Sequence, residues 1–308
     1  WYFYDNLNIN YFERAYGGTD KGELYGGSST SNGIVYQLQS ASGTESITHS
    51  SQSDFNAQVT HNTVVLDVPA VILDSGNDRY TSLLIHGNGN DTQTSYNSED
   101  SSARVITFTN QAQIDTAQSK WGNGSILFDG ADDQISVPDS DNWTFGTSNF
   151  TVEFWVRFNI VGNATFINHY QDDSHLWIVD YINASNILRF GVRTTAVWQA
   201  EIYNTWAPSA NTWYHIAVVR TGTGASGTLV YVNGTALAPT LNTGAWAYSM
   251  SNYSGSLIFG KSPFNGYSFD GWIDDIRISS VARFSTAFTT KPEFQCTNGE
   301  LISQPIQI

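Results

Sequence analysis

The chain has 308 residues, with 28 Asp and Glu against 13 Lys and Arg and a formal net charge of −15. That balance argues against binding to a phosphate backbone, which needs clustered cations, and suits an exposed, salt-tolerant protein or one that takes up divalent cations. Cys296 is the single cysteine, so there is no intrachain disulfide framework, and no run of about 18 apolar residues is present to span a bilayer as a helix.

In chain order, residues 1–78 read as a small β region. The runs Trp-Tyr-Phe-Tyr at 1–4 and Tyr11-Phe12 suggest an aromatic strand. The segments 23–27 and 33–38, separated by Ser-Ser-Thr-Ser-Asn-Gly, predict a β-hairpin with a long loop. The apolar run at 64–73, broken by Pro69, predicts an edge or linker strand, and the polar stretch 74–78 marks a boundary. This region is too small to bury both faces, so it is expected to pack on other subunits or on parts of a larger domain.

Residues 79–290 carry a succession of short apolar-alternating runs: 81–86, 104–108, 125–130, 134–138, 150–158, 175–181, 187–192, 195–203, 213–220, 228–232, 256–259 and 271–279. In the run at 150–158, Phe150, Val152, Phe154, Val156 and Phe158 share one face, the period-two mark of a strand against an apolar core. Turns between the runs are rich in Gly, Asn and Asp, among them Asn233-Gly234. A dozen short strands with few helices predicts an all-β, two-sheet sandwich of jelly-roll type. Residues 291–308 remain as a C-terminal tail.

Five ordered segments carry a resemblance: 121–130 (Trp-Gly-Asn-Gly-Ser-Ile-Leu-Phe-Asp-Gly), 150–158, 212–220 (Thr-Trp-Tyr-His-Ile-Ala-Val-Val-Arg), 229–234 and 271–278 (Gly-Trp-Ile-Asp-Asp-Ile-Arg-Ile). Together they resemble the concanavalin A-like, laminin-G-like jelly-roll domains over about 80–290. The ending at 280–289 resembles versions found in phage and bacterial surface proteins, and the hairpin within 23–38 resembles one blade of propeller-like phage tail domains. The resemblance implies a lectin-like, non-enzymatic virion structural or adhesion protein, such as a tail, fibre or capsid-decoration component. A secreted carbohydrate-binding module is the alternative, and a glycoside hydrolase the least favoured reading. Other subunits and surface glycans are the expected partners, with oligomer formation, an extracellular or virion-surface location, and no nucleic acid. The chain starts at Trp1 with no leader, which reads as a processed start or as a fragment of a longer protein.

Related endo-β-glucanases carry Glu-x-Asp-x-x-Glu on a strand, which places paired carboxylates for glycoside hydrolysis; that motif is absent here. Glu153 stands alone on its run, and His215 reads as a structural histidine. Trp198, Tyr203, Trp206 and Tyr181 lie in or beside a polar stretch, where flat aromatic faces could stack on sugar rings, though aromatics equally fill cores. Alternation along 271–279 places Trp272, Asp274, Ile276 and Ile278 on one face, so an acid joins an apolar row. A buried carboxylate there needs a partner, and backbone donors could suffice. Alternatively, the matching strand of related glucanases holds a structural Ca²⁺ at an aspartate, which implies Ca²⁺ at Asp274, with further ligands expected from the loops 87–92 or 97–100.

Overall fold

The computed structural model describes residues 77–222, 227–243 and 248–290, together with three short strands nearer the N-terminus. The chain divides into two compact units, 1–73 and 74–308. In the first, β1 (Glu13–Ala15), β2 (Glu23–Gly27) and β3 (Val35–Gln37) form an antiparallel sheet in the order β1-β2-β3. Tyr25 pairs with Gln37 and Gly27 with Val35, which is the hairpin expected across the Ser-rich loop. The runs expected at 1–4, 11–12 and 64–73, and Cys296, lie outside the described residues.

The second unit is a two-sheet antiparallel sandwich. Its strands are β4 (Thr81–Ile85), β5 (Ser95–Asn97), β6 (Val105–Thr109), β7 (Gln113–Asp115), β8 (Ser125–Asp129), β9 (Gln134–Val137) and β10 (Phe150–Phe158). They continue as β11 (Ala164–Asp172), β12 (His175–Ile182), β13 (Ile187–Thr194), β14 (Val197–Thr205) and β15 (Trp213–Arg220). The last five are β16 (Thr228–Val232), β17 (Thr235–Ala236), β18 (Pro239–Thr243), β19 (Leu257–Phe259) and β20 (Asp270–Ser279). One sheet has the order β17-β16-β15-β10-β20-β8-β7, with β4 also paired to β20; the other runs β18-β14-β13-β12-β11-β19-β9-β6-β5. Neighbours in sequence often sit in different sheets, as the Greek-key connections of a jelly roll require.

β10 lies between β15 and β20 at the centre of the eight-stranded sheet. Its inward residues Phe150, Val152, Phe154, Val156 and Phe158 are buried in the core with Phe166, Trp177, Phe190 and Phe269. The outward residues Thr151, Glu153 and Trp155 are buried too, so the strand is covered on both faces. Part of that second cover is the segment after β20: Phe284 and Phe288 stack with ring centroids 3.5 Å apart and pack with Ala217, Val219 and Tyr231. This second cluster explains why Ala217, Val219 and Tyr231 are apolar on a face that would otherwise meet water.

Alternation fails at two places that matter below. Between Glu153 and Trp155 the register with β20 shifts by one residue, and Asp275 there adopts φ +50°; this is a β-bulge. Ile273, Ile276 and Ile278 therefore face the core, and Trp272 and Asp274 face outward. The expected row Trp272–Asp274–Ile276–Ile278 is thus corrected: one extra residue reverses the parity of everything beyond it. The second shift lies between Val192 and Arg193, where β13 meets β14; Val192 opposes Ala200 but Arg193 opposes Trp198, leaving Gln199 as the extra residue.

A candidate glycan-binding face and a buried carboxylate

The bulge at Gln199 sets the position of Trp198. Unbroken alternation along β14 would put Trp198 with Ala200 and Ile202, both of which are buried in the core. The extra residue turns it instead to the outer face of the nine-stranded sheet, beside Arg193. There the indole lies over Gly191, where a Cβ would stand 2.7 Å from its ring. The absence of a side chain at Gly191 is what allows the ring to lie close to the sheet.

Cross-strand register orders the polar groups around this indole. Asp180, Arg189, Tyr203 and Leu241 form one row across β12, β13, β14 and β18. Arg189 donates from Nε to Asp180 Oδ1 at 2.8 Å and from Nη2 to Oδ2 at 2.6 Å, a bidentate pair. Asn265 Nδ2 donates to the same Oδ2 at 2.8 Å, and Glu201 lies 3.8 Å from Arg189. Burial pushes the Asp180 carboxyl upward, and Arg189 opposes that shift. The Tyr203 hydroxyl donates to Glu201 Oε1 at 2.9 Å.

The segment 260–268 crosses this face. Its Lys261 carbonyl accepts from Asn168 of β11, its Asn265 reaches Asp180 of β12, and its Phe264 meets Trp198 edge-on with centroids 5.6 Å apart. Arg189 and Arg193 lie over the Trp198 ring at 5.1 and 5.5 Å. Half-buried indole, tyrosine, guanidinium and carboxylate groups on a firm sheet are the components that stack on a sugar ring and bind its hydroxyls.

The four aromatics named from the sequence thus divide. Trp198 and Tyr203 are half-buried on this outer face. Tyr181 and Trp206 are core residues: Tyr181 is fully buried, and Trp206 packs edge-on against Tyr181 and Tyr214. Trp206 follows the end of β14 and tucks back beneath Phe158, because the chain must close the open end of the sandwich there. The sequence reading missed Arg189, Arg193, Glu201 and Phe264; their signal was cross-strand pairing, which needs the register.

Asp274 is almost wholly buried beneath the turn 117–122 rather than in the core. Its Oδ2 accepts the backbone N–H groups of Lys120 at 2.6 Å and Trp121 at 3.2 Å, and Oδ1 has no hydrogen-bond donor. Burial pushes its carboxyl up to about 8, against the pull of those two N–H groups. The turn that reaches Asp274 is thus neither of the two loops anticipated as sources of ligands. Asp275, the bulged residue, is also buried and pairs with His86 Nδ1 at 2.8 Å. Oδ1 is thus the one oxygen of the Asp274 carboxyl left without a donor.

A separate cluster, Asp129, Asp132 and Asp133, has ligating oxygens within 4.8 Å of one another. Asp133 is held there by accepting from the N–H groups of Gln111 and Asp129. Among the described residues this is the one group of three or more acids or histidines with that spacing, and Asp274 is outside it. Glu153 is fully buried and bonded by Arg277, so it meets no solvent.

The chain resembles solved structures of the same architecture. A structure reported under the cell entry of botulinum neurotoxin type C and its interaction with two ganglioside molecules is 16% identical, with a TM-score of 0.50 over 67% of this chain and 49% of that one. The receptor-binding domain of the botulinum neurotoxin C/D mosaic serotype is 14% identical, with a TM-score of 0.50 and the same coverage. Domain 4 of an extracellular arabinanase from Geobacillus stearothermophilus, solved with arabinotriose, is 16% identical, with a TM-score of 0.48 over 66% of this chain and 93% of that one. The present chain spans about half the length of the neurotoxin chains it matches. No curated protein matches it in sequence. A family model does, over residues 129–286, which is just over half of the chain. With its jelly-roll sandwich, this places the chain in the concanavalin A-like lectin/glucanases superfamily, of the laminin-G-like kind.

Proposed function

We propose that this protein is a non-catalytic glycan-binding component displayed outside the cell, on the surface of a virion as a tail, fibre or decoration subunit. The observation that carries the binding part is Trp198, turned outward by a bulge, laid over Gly191 and surrounded by Arg189, Arg193, Glu201 and Tyr203. The neurotoxin structures of the same fold include one described as interacting with gangliosides, in keeping with a glycan ligand. The absence of catalysis is supported by the carboxylates of the sheets, since Glu153 is held by Arg277 and Asp180 by Arg189 and Asn265. In this reading residues 1–78 pack on other subunits, and Asp274, with one carboxyl oxygen free of donors, holds structural Ca²⁺.

A glycan array on the full chain tests the binding, and electron microscopy of the purified protein tests assembly into particles or filaments. Trp198→Ala is expected to weaken glycan binding at least tenfold and to shift the melting temperature little, because its ring is half-buried. Trp206→Ala is expected to do the reverse, lowering stability by about 3–5 kcal/mol through the cavity it leaves. Glycan binding that survives Trp198→Ala would remove this face as the site. Release of reducing sugar from a bound glycan would overturn the non-catalytic reading.

A further inference from the structure

The arginines of the sandwich are, with few exceptions, provided for. Arg277 is bonded to Glu153, Arg104 to Asp100, Arg189 to Asp180 and Arg283 to Asp78, and Arg220 donates to the carbonyls of Gly146, Ser148 and Tyr248. Arg79, which donates to the Tyr80 hydroxyl, Arg157, which lies over Trp272, and Arg193 have no ion pair among the described residues, and of these three Arg193 is the one beside Trp198. Among the described residues no carboxylate lies within ion-pair distance of Arg193, and Asp180 and Glu201 both engage Arg189 instead. Of its five N–H donors, one has a hydrogen-bond partner, from Nη2 to the carbonyl of Ala196 at 3.0 Å. Its Nε is buried with no acceptor. Yet the guanidinium is held in place, 5.5 Å from the Trp198 ring and 5.0 Å from that of Phe264.

Nε is closed to solvent, so a ligand meets this guanidinium along its Nη1–Nη2 edge, and a planar fork already fixed beside two rings loses little freedom when it is bound. A group on a sugar that fits this edge is a carboxylate, which takes two parallel N–H bonds from one arginine. Hydroxyls alone do not offer the charge, and bonds to a charged acceptor are the stronger ones.

We infer that the Trp198 face takes a glycan bearing a carboxylate, a uronic or sialic acid residue, with Arg193 binding the carboxylate while the sugar ring stacks on the indole. This rests on the glycan-binding reading above. It also explains the division of labour between the two arginines of the face. Arg189 is spent on holding the sheet's own carboxylates, and Arg193 is left for one that arrives with the ligand.

The test pairs each acidic glycan with its neutral counterpart: polygalacturonate against its methyl ester, and sialyllactose against lactose, by titration calorimetry on the full chain. The acidic member of a pair is expected to bind at least about tenfold tighter, or about 1.4 kcal/mol. Arg193→Gln is expected to lose that preference, and Arg193→Lys to recover part of it, since a lysine keeps the charge but not the fork. Melting curves of both variants accompany the titrations, so that if the glutamine variant is destabilised the lysine variant carries the comparison. Equal affinity within each pair, or an undiminished preference in Arg193→Gln, overturns this inference alone. Failure to bind any glycan, acidic or neutral, overturns it together with the reading on which it rests.

Discussion

Glu153→Ala is expected to lower the free energy of unfolding by about 3–5 kcal/mol, because it strands a buried positive charge. Glu153 and Arg277 are cross-strand partners on β10 and β20, and neither is exposed to solvent. Arg277 donates from Nε and Nη2 to Glu153 Oε1 at 2.8 and 2.7 Å, and His215 Nε2 lies 3.2 Å from the other oxygen. The carboxylate therefore ties together the three central strands β15, β10 and β20. For a domain of this size the loss corresponds to a melting temperature lower by roughly 10 °C. Arg277→Ala should cost a similar amount, for it leaves the carboxylate bare in the same place. Replacing both residues with methionine should recover most of the loss, since a buried ion pair and a well-packed apolar pair differ little. Urea denaturation with an unchanged slope measures each variant, and a double variant as unstable as the sum of the single ones would refute the account.

The second large effect is the pH dependence set by Asp274. In the unfolded chain its carboxyl titrates near 3.8, and in the folded protein burial raises it to about 8. Between those values the folded state holds a proton that the unfolded state has lost. Stability from this group is therefore fully present below about pH 4 and is lost as pH rises towards 8, with a slope of up to about 1.4 kcal/mol per pH unit. Glu99 and Asp133 are shifted upward by burial as well, so the total slope is not the measure. The measure is the difference between wild type and Asp274→Asn, followed by denaturation at several pH values in EDTA. The asparagine variant should be flatter and more stable near pH 8. Millimolar calcium should then stabilise wild type at that pH by binding the charged form, and should not stabilise the variant. Equal slopes in EDTA would show that the carboxyl titrates normally, and identical melts with and without calcium would leave Asp274 as a hydrogen-bonded acid.

Much of the sandwich is legible in the sequence because period-two alternation survives in most strands. The run Phe150–Phe158 coincides with β10 from end to end. β11 escapes such a reading although it has nine residues, because a register shift between Thr165 and Ile167 puts Phe166 and Ile167 side by side in the core. β5 and β7, of three residues each, are too short to show a period. The candidate site is less legible than the fold. Tyr181 obeys simple alternation with Trp177 and Val179, which identifies it as a core residue once one face of β12 is known to be inward. Trp198 and Asp274 disobey alternation, each because of a bulge that no local residue pattern announces. Their environments depend on which strand lies opposite, and that is a property of the whole sheet.

The bulge at Gln199 has a consequence for lineage. Arg193 opposes Trp198 and Val192 opposes Ala200, so deleting Gln199 would leave both pairs intact in an unbroken ladder, with Trp198 still outward and Ala200 still inward. The outward direction of the indole thus depends on its pairing with Arg193 and survives the loss of the extra residue. Comparisons among relatives would therefore align Trp198 to the partner of Arg193 and Ala200 to the partner of Val192, and let the spacing between Trp198 and Ala200 vary by one.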